Sequence, residues 1–168
     1  MVPFSSSQNK QTVPYRNEYG AISVNVLIVD NEIVQVENLR IGLSSRGYHV
    51  LQALSGHEAL SLIENDANQI DLVITDYAMP GINGIELLQN IRWKHGNLPV
   101  ILMTAYGQRD LVLDALRNQC NGFIDKPFTL DQLQQEIDRV KGFLFQDLTS
   151  SPHKSYKGEH PRQIVFTP

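Results

Sequence analysis

The 168-residue sequence has one cysteine, Cys120, and one tryptophan. A lone cysteine cannot close an intramolecular disulfide, so nothing in the chain asks for an oxidising compartment. Long apolar runs are also missing. The longest are four residues, Val26 to Val29 and Val100 to Met103, against the roughly 20 needed to cross a bilayer. The first twenty residues lack the apolar stretch of a signal peptide. Positive charge is scarce too. Against 18 Asp and Glu there are 14 Lys and Arg, a net charge of −4, which excludes a generally basic nucleic-acid or membrane-surface binder. The five histidines show no metal-ligand spacing. What remains, 42% hydrophobic and 19% charged, is the composition of an ordinary soluble protein. The expected location is the cytoplasm, with no membrane contact.

Three zones separate by composition. Residues 1–23 are polar and unpatterned and read as a disordered N-terminal extension. Residues 24–145 carry the strong periodicity and form the expected domain. Residues 146–168 are polar again, with prolines at 152, 161 and 168, and read as a tail or linker. The middle zone holds nine basic and fifteen acidic residues, a net of −6, so the acidity belongs to the part that folds.

Within that zone short apolar strands alternate with amphipathic helices. Val24 to Val29 is β-branched and nearly all apolar, as expected for a strand buried on both faces of a parallel sheet. Residues 33–46 place Val36, Leu39 and Leu43 on one helical face that ends at Gly47. Tyr48 to Ala53 reads as a second strand, and Ser55-x-x-Glu58 as a capping box opening a helix. Leu72 to Thr75, Val100 to Met103 and Phe123–Ile124 read as further strands. Helices are expected after Gly84, over residues 109–118, and after Thr129-x-x-Gln132. The last carries Leu133, Ile137, Val140 and Leu144 at helical spacing. Five strands alternating with five helices describe a doubly wound α/β domain, long enough to bury one core.

In such a sheet, ligands bind where the strands end at their carboxyl side. Those ends hold Asp30, Asp76, Thr104 and Lys126. Two carboxylates, a hydroxyl and an ammonium suit a small hard cation and a phosphoryl group. Magnesium takes one or two carboxylates plus waters and phosphate oxygens, and lysine offers a point charge to a phosphate oxygen. A carboxylate can itself be the nucleophile that becomes an acyl phosphate. Read singly, Thr104 is equally a β-branched strand residue and Phe123 a core aromatic.

The segments VLIVDNE, DLVITDYAMPGINGIELL, LPVILMTAYG and GFIDKPFTLDQL together carry a family likeness. From about Val24 to Phe145 the chain resembles the receiver domain of bacterial two-component response regulators, a chemotaxis-regulator-like fold. The order that carries the likeness is Asp76, then Met79-Pro80, then Thr104-Ala105, then Lys126-Pro127-Phe128. The resemblance implies a flavodoxin-like five-stranded parallel sheet in the order 2-1-3-4-5, and a signalling protein rather than an enzyme. It makes Asp76 the phosphoacceptor and a magnesium ligand, Asp30 a metal-site acid, and the Ala78 backbone carbonyl a further ligand. Thr104 becomes the switch hydroxyl, Lys126 the cationic clamp, and Phe123 the aromatic whose rotamer follows Thr104. It also implies a cis peptide before Pro127. Ala78 and Tyr106 occupy the positions that tune the lifetime of the acyl phosphate. The implied phosphoryl donor is a sensor histidine kinase or phosphotransfer protein. The implied output is an effector protein, a C-terminal output domain or a phosphorylation-dependent homodimer, read through the fourth and fifth helices and the fifth strand.

One position departs from the family pattern. Most receivers have two adjacent acids after the first strand, whereas here Asp30 is followed by Asn31. An amide oxygen can still coordinate but brings no charge, so magnesium binding is expected to weaken. The alternative is a pseudo-receiver, a binding module that works without phosphorylation. A flavin-phosphate site would need a Ser/Thr/Gly-rich first loop, and a haloacid-dehalogenase-type phosphatase a second Asp two positions after the first. Asp30-Asn31-Glu32 supplies neither. The stretch after Phe145 is too short for a helix-turn-helix domain, which leaves a stand-alone receiver or a fragment of a longer regulator.

Overall fold

The computed structural model describes residues 23–65, 68–105, 115 and 117–149. The strands are β1 (Asn25–Val29), β2 (His49–Ala53), β3 (Leu72–Asp76), β4 (Val100–Ala105) and β5 (Gly122–Lys126). The helices are α1 (Ile33–Ser44), α2 (Gly56–Glu64), α3 (Gly84–His95) and α4 (Leu130–Thr149). The five strands form one parallel sheet in the order β2-β1-β3-β4-β5. The order agrees with the expected topology. Four helices stand among the described residues rather than five. The helix expected over 109–118 falls largely outside them.

Both faces of the sheet are covered, which is why β1 and β3 are buried at every residue and read as continuous apolar runs. Val26, Ile28 and Ile74 pack with Leu43 of α1 and Leu133 and Ile137 of α4. Leu27, Val29 and Val73 pack on the opposite face with Ile63 of α2 and Leu87 and Ile91 of α3. Fully burying one such side chain contributes about 1.5–3 kcal/mol.

Helix starts are fixed by side-chain caps. Ser55 accepts the Glu58 N–H at 3.2 Å. Thr129 and Gln132 cap reciprocally, at 3.2 and 2.8 Å. A third cap, absent from the sequence reading, opens α3: Asn83 accepts from Ile85 and Glu86, while Glu86 accepts the Asn83 N–H at 3.0 Å. α1 ends at Ser44 rather than 46, and Gly47 makes the following turn at φ +88. α4 runs to Thr149, past the Phe145 boundary read from composition, because no Pro or Gly interrupts it there. Among the described residues no helix is long and apolar enough to cross a membrane.

Candidate functional site

The sheet order reverses between β1 and β3, and a parallel sheet opens a crevice at the carboxyl ends of such a pair. Val29 pairs with Thr75, so the next residues, Asp30 and Asp76, leave the two strands at one level. Both are buried, with relative exposures of 1% and 7%. Asp30 is positioned by its own N–H, which donates to the Ala53 carbonyl of β2 at 3.2 Å. Asp76 is positioned by a loop that folds back on the sheet. The Tyr77 N–H donates to the Met103 carbonyl at 2.9 Å, and the Gly84 N–H to the Tyr77 carbonyl at 3.0 Å. Gly84 is required by that close approach, since a Cβ there would lie 2.5 Å from the Asp76 carbonyl oxygen and 2.9 Å from the Tyr77 Cα.

Lys126 reaches this crevice from the end of β5. Its Nζ lies 2.9 Å from Asp30 Oδ2 and 2.7 Å from Asp76 Oδ1. Burial alone would lower the lysine pKa, but the hydrogen bonds and charges of the two aspartates outweigh it and the pKa is raised. The Lys126–Pro127 peptide is cis, as the family likeness implies.

The remaining hydrogen bonds decide whether a metal fits. Asp30 Oδ1 accepts the Glu32 N–H at 2.9 Å, and Asp76 Oδ2 accepts the Ala78 N–H at 3.0 Å. Among the described residues each of the four carboxylate oxygens therefore accepts from one donor, and an acceptor site is left for a metal. Among the described residues no group of three or more His, Cys, Asp or Glu side chains gathers that could hold a metal. Two hard carboxylates beside exposed Asn31 and Ala78 fit magnesium, which keeps several waters and needs few protein ligands. They do not fit zinc, which is held almost always by four Cys, His or carboxylate ligands in structural sites.

Thr104 and Phe123 sit differently from Asp30 and Asp76. Thr104 is 1% exposed, and its hydroxyl donates to Asp125 Oδ1 of the neighbouring strand at 2.9 Å. Phe123 is 40% exposed and so faces outward. Tyr106 lies outside the described residues. Three residues that touch Thr104 or β5 carry no sequence motif: Asp125, Glu136 and Arg139. Asp125 is the partner of Thr104 in the parallel register of β4 and β5, which the sequence alone does not set. Glu136 and Arg139 of α4 act on the outer edge of β5, where Glu136 Oε1 accepts the Phe123 N–H at 3.1 Å and Arg139 donates to the Asn121 carbonyl at 2.9 Å. Cys120 donates to the Gly122 carbonyl at 2.9 Å, and burial pushes its thiol pKa up. It is a half-buried packing residue rather than a reactive thiol.

Comparison with known proteins agrees with this geometry. A family model for the response regulator receiver domain matches residues 26–138, and the chain belongs to that family. Chemotaxis protein CheY-3 of Vibrio cholerae is 35% identical over 123 residues, covering 70% of this chain and 92% of that protein. Response regulator MprA of a Mycobacterium species is 36% identical over 159 residues, covering 86% of this chain and 67% of that protein. The crystal structure of a response regulator receiver domain protein from Clostridium thermocellum superposes with a TM-score of 0.69 at 28% identity, over 73% of this chain and 98% of that one. Other relatives are far longer. The chain spans 12% of sensor kinase CckA from Brucella abortus, at 36% identity over 115 residues and 68% of this chain. It spans 25% of a relative from Arabidopsis thaliana, at 30% identity over 158 residues and 92% of this chain. The chain is thus a two-component signalling module, of a family in which phosphorylation and magnesium binding are typical.

Proposed function

We propose that this chain is a phospho-accepting receiver in which Asp76 takes a phosphoryl group from a histidine kinase or phosphotransfer protein. The observation that carries the reading is the pair of buried carboxylates, Asp30 and Asp76, held on the single ammonium of Lys126. The Ala78 N–H and Lys126 fix the orientation of the Asp76 carboxylate, which stays partly open at the mouth of the crevice, its side chain 10% exposed. A carboxylate oxygen of Asp76 attacks phosphorus. The new O–P bond forms as the donor's N–P bond breaks, and the imidazole nitrogen leaves with the electron pair. Lys126 is placed to follow the charge from the carboxylate to the phosphoryl oxygens, because its ammonium already touches Asp76. Magnesium, when bound through Asp30, Asp76, the Ala78 carbonyl and the Asn31 amide, supplies the further positive charge that phosphoryl transfer requires.

The product is a local change of charge at the end of β3, which biases a two-state element. Thr104 and Phe123 form that element, and an effector protein, an output domain or a second copy of the chain would read it in the cytoplasm. Borohydride trapping locates the modified residue. It reduces an acyl phosphate on Asp76 to homoserine, so after treatment with acetyl phosphate the peptide containing Asp76 should carry the mass change. Trapping at any other aspartate overturns the assignment.

Asn31 favours a second reading, a phosphorylation-independent binding module. Its amide offers the metal no charge where an acid is usual. Labelling of Asp76 at any magnesium concentration supports the first reading, and no labelling across a magnesium titration supports the second.

A further inference from the structure

Thr104 has one hydroxyl proton, and in this structure that proton goes to Asp125. The contact is a consequence of register. Thr104 and Asp125 are directly paired in the parallel ladder of β4 and β5, so their side chains leave the sheet on the same face. Phe123, two residues before Asp125, leaves on that face as well. Asp76 lies on β3, on the opposite side of β4 from β5. A hydroxyl donating to Asp125 is therefore committed to the β5 side, away from the phosphoacceptor.

The β5 backbone cannot follow Thr104 freely. Glu136 holds the Phe123 N–H, Arg139 holds the Asn121 carbonyl, and Glu136 and Arg139 pair with each other at 2.5 Å. The clamp packs so closely that a Cβ on Gly122 would lie 2.4 Å from Glu136 Oε1. Asp125 lies directly opposite Thr104 in the ladder, and Phe123 lies two residues before it on the same face of β5.

We propose that Asp125 is a positioning residue that restrains Thr104 in its unswitched orientation and so opposes phosphorylation of Asp76. The inference rests on the reading of Asp76 as phosphoacceptor. A single proton cannot serve both acceptors, and a carboxylate holds a hydroxyl more strongly than a neutral group does. A phosphoryl group on Asp76 competes for the same donor. Asp125 is exposed, so water replaces the lost contact and the restraint stays weak enough to be reversed.

The test is a double-mutant cycle of Asp125→Ala and Thr104→Ala, with Asp125→Asn alongside. Two quantities are read: the initial rate of labelling by acetyl phosphate, and the χ1 populations of Thr104 from scalar couplings in the unphosphorylated protein. Asp125→Ala should label about threefold to tenfold faster, and this gain should vanish when the Thr104 hydroxyl is absent. Asp125→Asn should fall between parent and Asp125→Ala, since it keeps the acceptor oxygen without the charge. The Thr104 rotamer should be single in the parent and redistributed in Asp125→Ala. Labelling at the parental rate, or a gain that persists without the hydroxyl, overturns the restraint and leaves the receiver reading standing. No labelling of any variant overturns the receiver reading instead. The couplings then decide alone, and an unchanged Thr104 rotamer in Asp125→Ala overturns the restraint.

Discussion

The carboxylates of Asp30 and Asp76 are bound by one ammonium, with Lys126 Nζ 2.9 Å from the first and 2.7 Å from the second. Two buried acids of like charge on neighbouring strands would repel each other without it. The same arrangement that balances the fold therefore places a cation on Asp76, the proposed phosphoacceptor.

Removing that cation should be costly. Lys126→Met leaves both carboxylates uncompensated and is expected to destabilise the protein by about 3 kcal/mol in urea unfolding at pH 7. Adding Asp76→Asn removes the repulsion and should restore more than half of the loss. A single-variant loss no larger than an exposed ion pair contributes, about 0.5 kcal/mol, would show that the bridge does not hold the fold. The pH dependence has a definite sign. Lys126 has a raised pKa in the folded protein, so its contribution is fully present below the ordinary lysine value of 10.5 and is lost as pH rises through the raised one. The stability difference between parent and Lys126→Met should accordingly be the same at pH 7 and pH 9.

Gly84 gives a test of how tightly the Asp76 loop is held. In Gly84→Ala the new methyl meets the Asp76 carbonyl oxygen at 2.5 Å and Leu102 Cδ1 at 2.9 Å. Backbone must shift, at a cost of about 1–3 kcal/mol, and the shift displaces the Asp76 carboxylate. Labelling by acetyl phosphate should slow by about tenfold or more, since misplacement of a reacting group is penalised steeply. Parental labelling in a destabilised variant would show that the loop relaxes elsewhere.

Asn31 is exposed beside Asp30, so Asn31→Asp should add charge to the metal donors with little effect on the fold. Magnesium should bind about tenfold more tightly, followed by the magnesium concentration that half-saturates labelling. An unchanged midpoint would mean that the amide is not the weak point.

Much of this arrangement is legible in the sequence, and what is not has physical causes. β1 and β3 are readable because both faces are covered and every residue is buried. Asp30, Asp76 and Lys126 are readable as a group because each ends a strand. From the sequence β5 reads only as Phe123 and Ile124. It runs from Gly122 to Lys126, and Phe123 and Asp125 alternate outward at the sheet edge, which shortens the apolar signal. The cap at Asn83 hides inside a loop that reads as turn. The contacts of Asp125 with Thr104 and of Glu136 with Phe123 depend on strand register and on the rotation of a helix over an edge. No single segment encodes either. The likeness to receivers implies a role for Thr104, and the structure adds its hydrogen-bond partner, Asp125.

Asp76 is proposed to accept a phosphoryl group at a site whose metal affinity is lowered by Asn31. Intact mass after incubation with acetyl phosphate, across a magnesium titration and with Asp76→Asn alongside, tests it most directly. The parent alone should gain one phosphoryl group, with a half-effect that moves to lower magnesium in Asn31→Asp. Equal labelling of parent and Asp76→Asn, or no labelling of either parent or Asn31→Asp at any magnesium concentration, would contradict it.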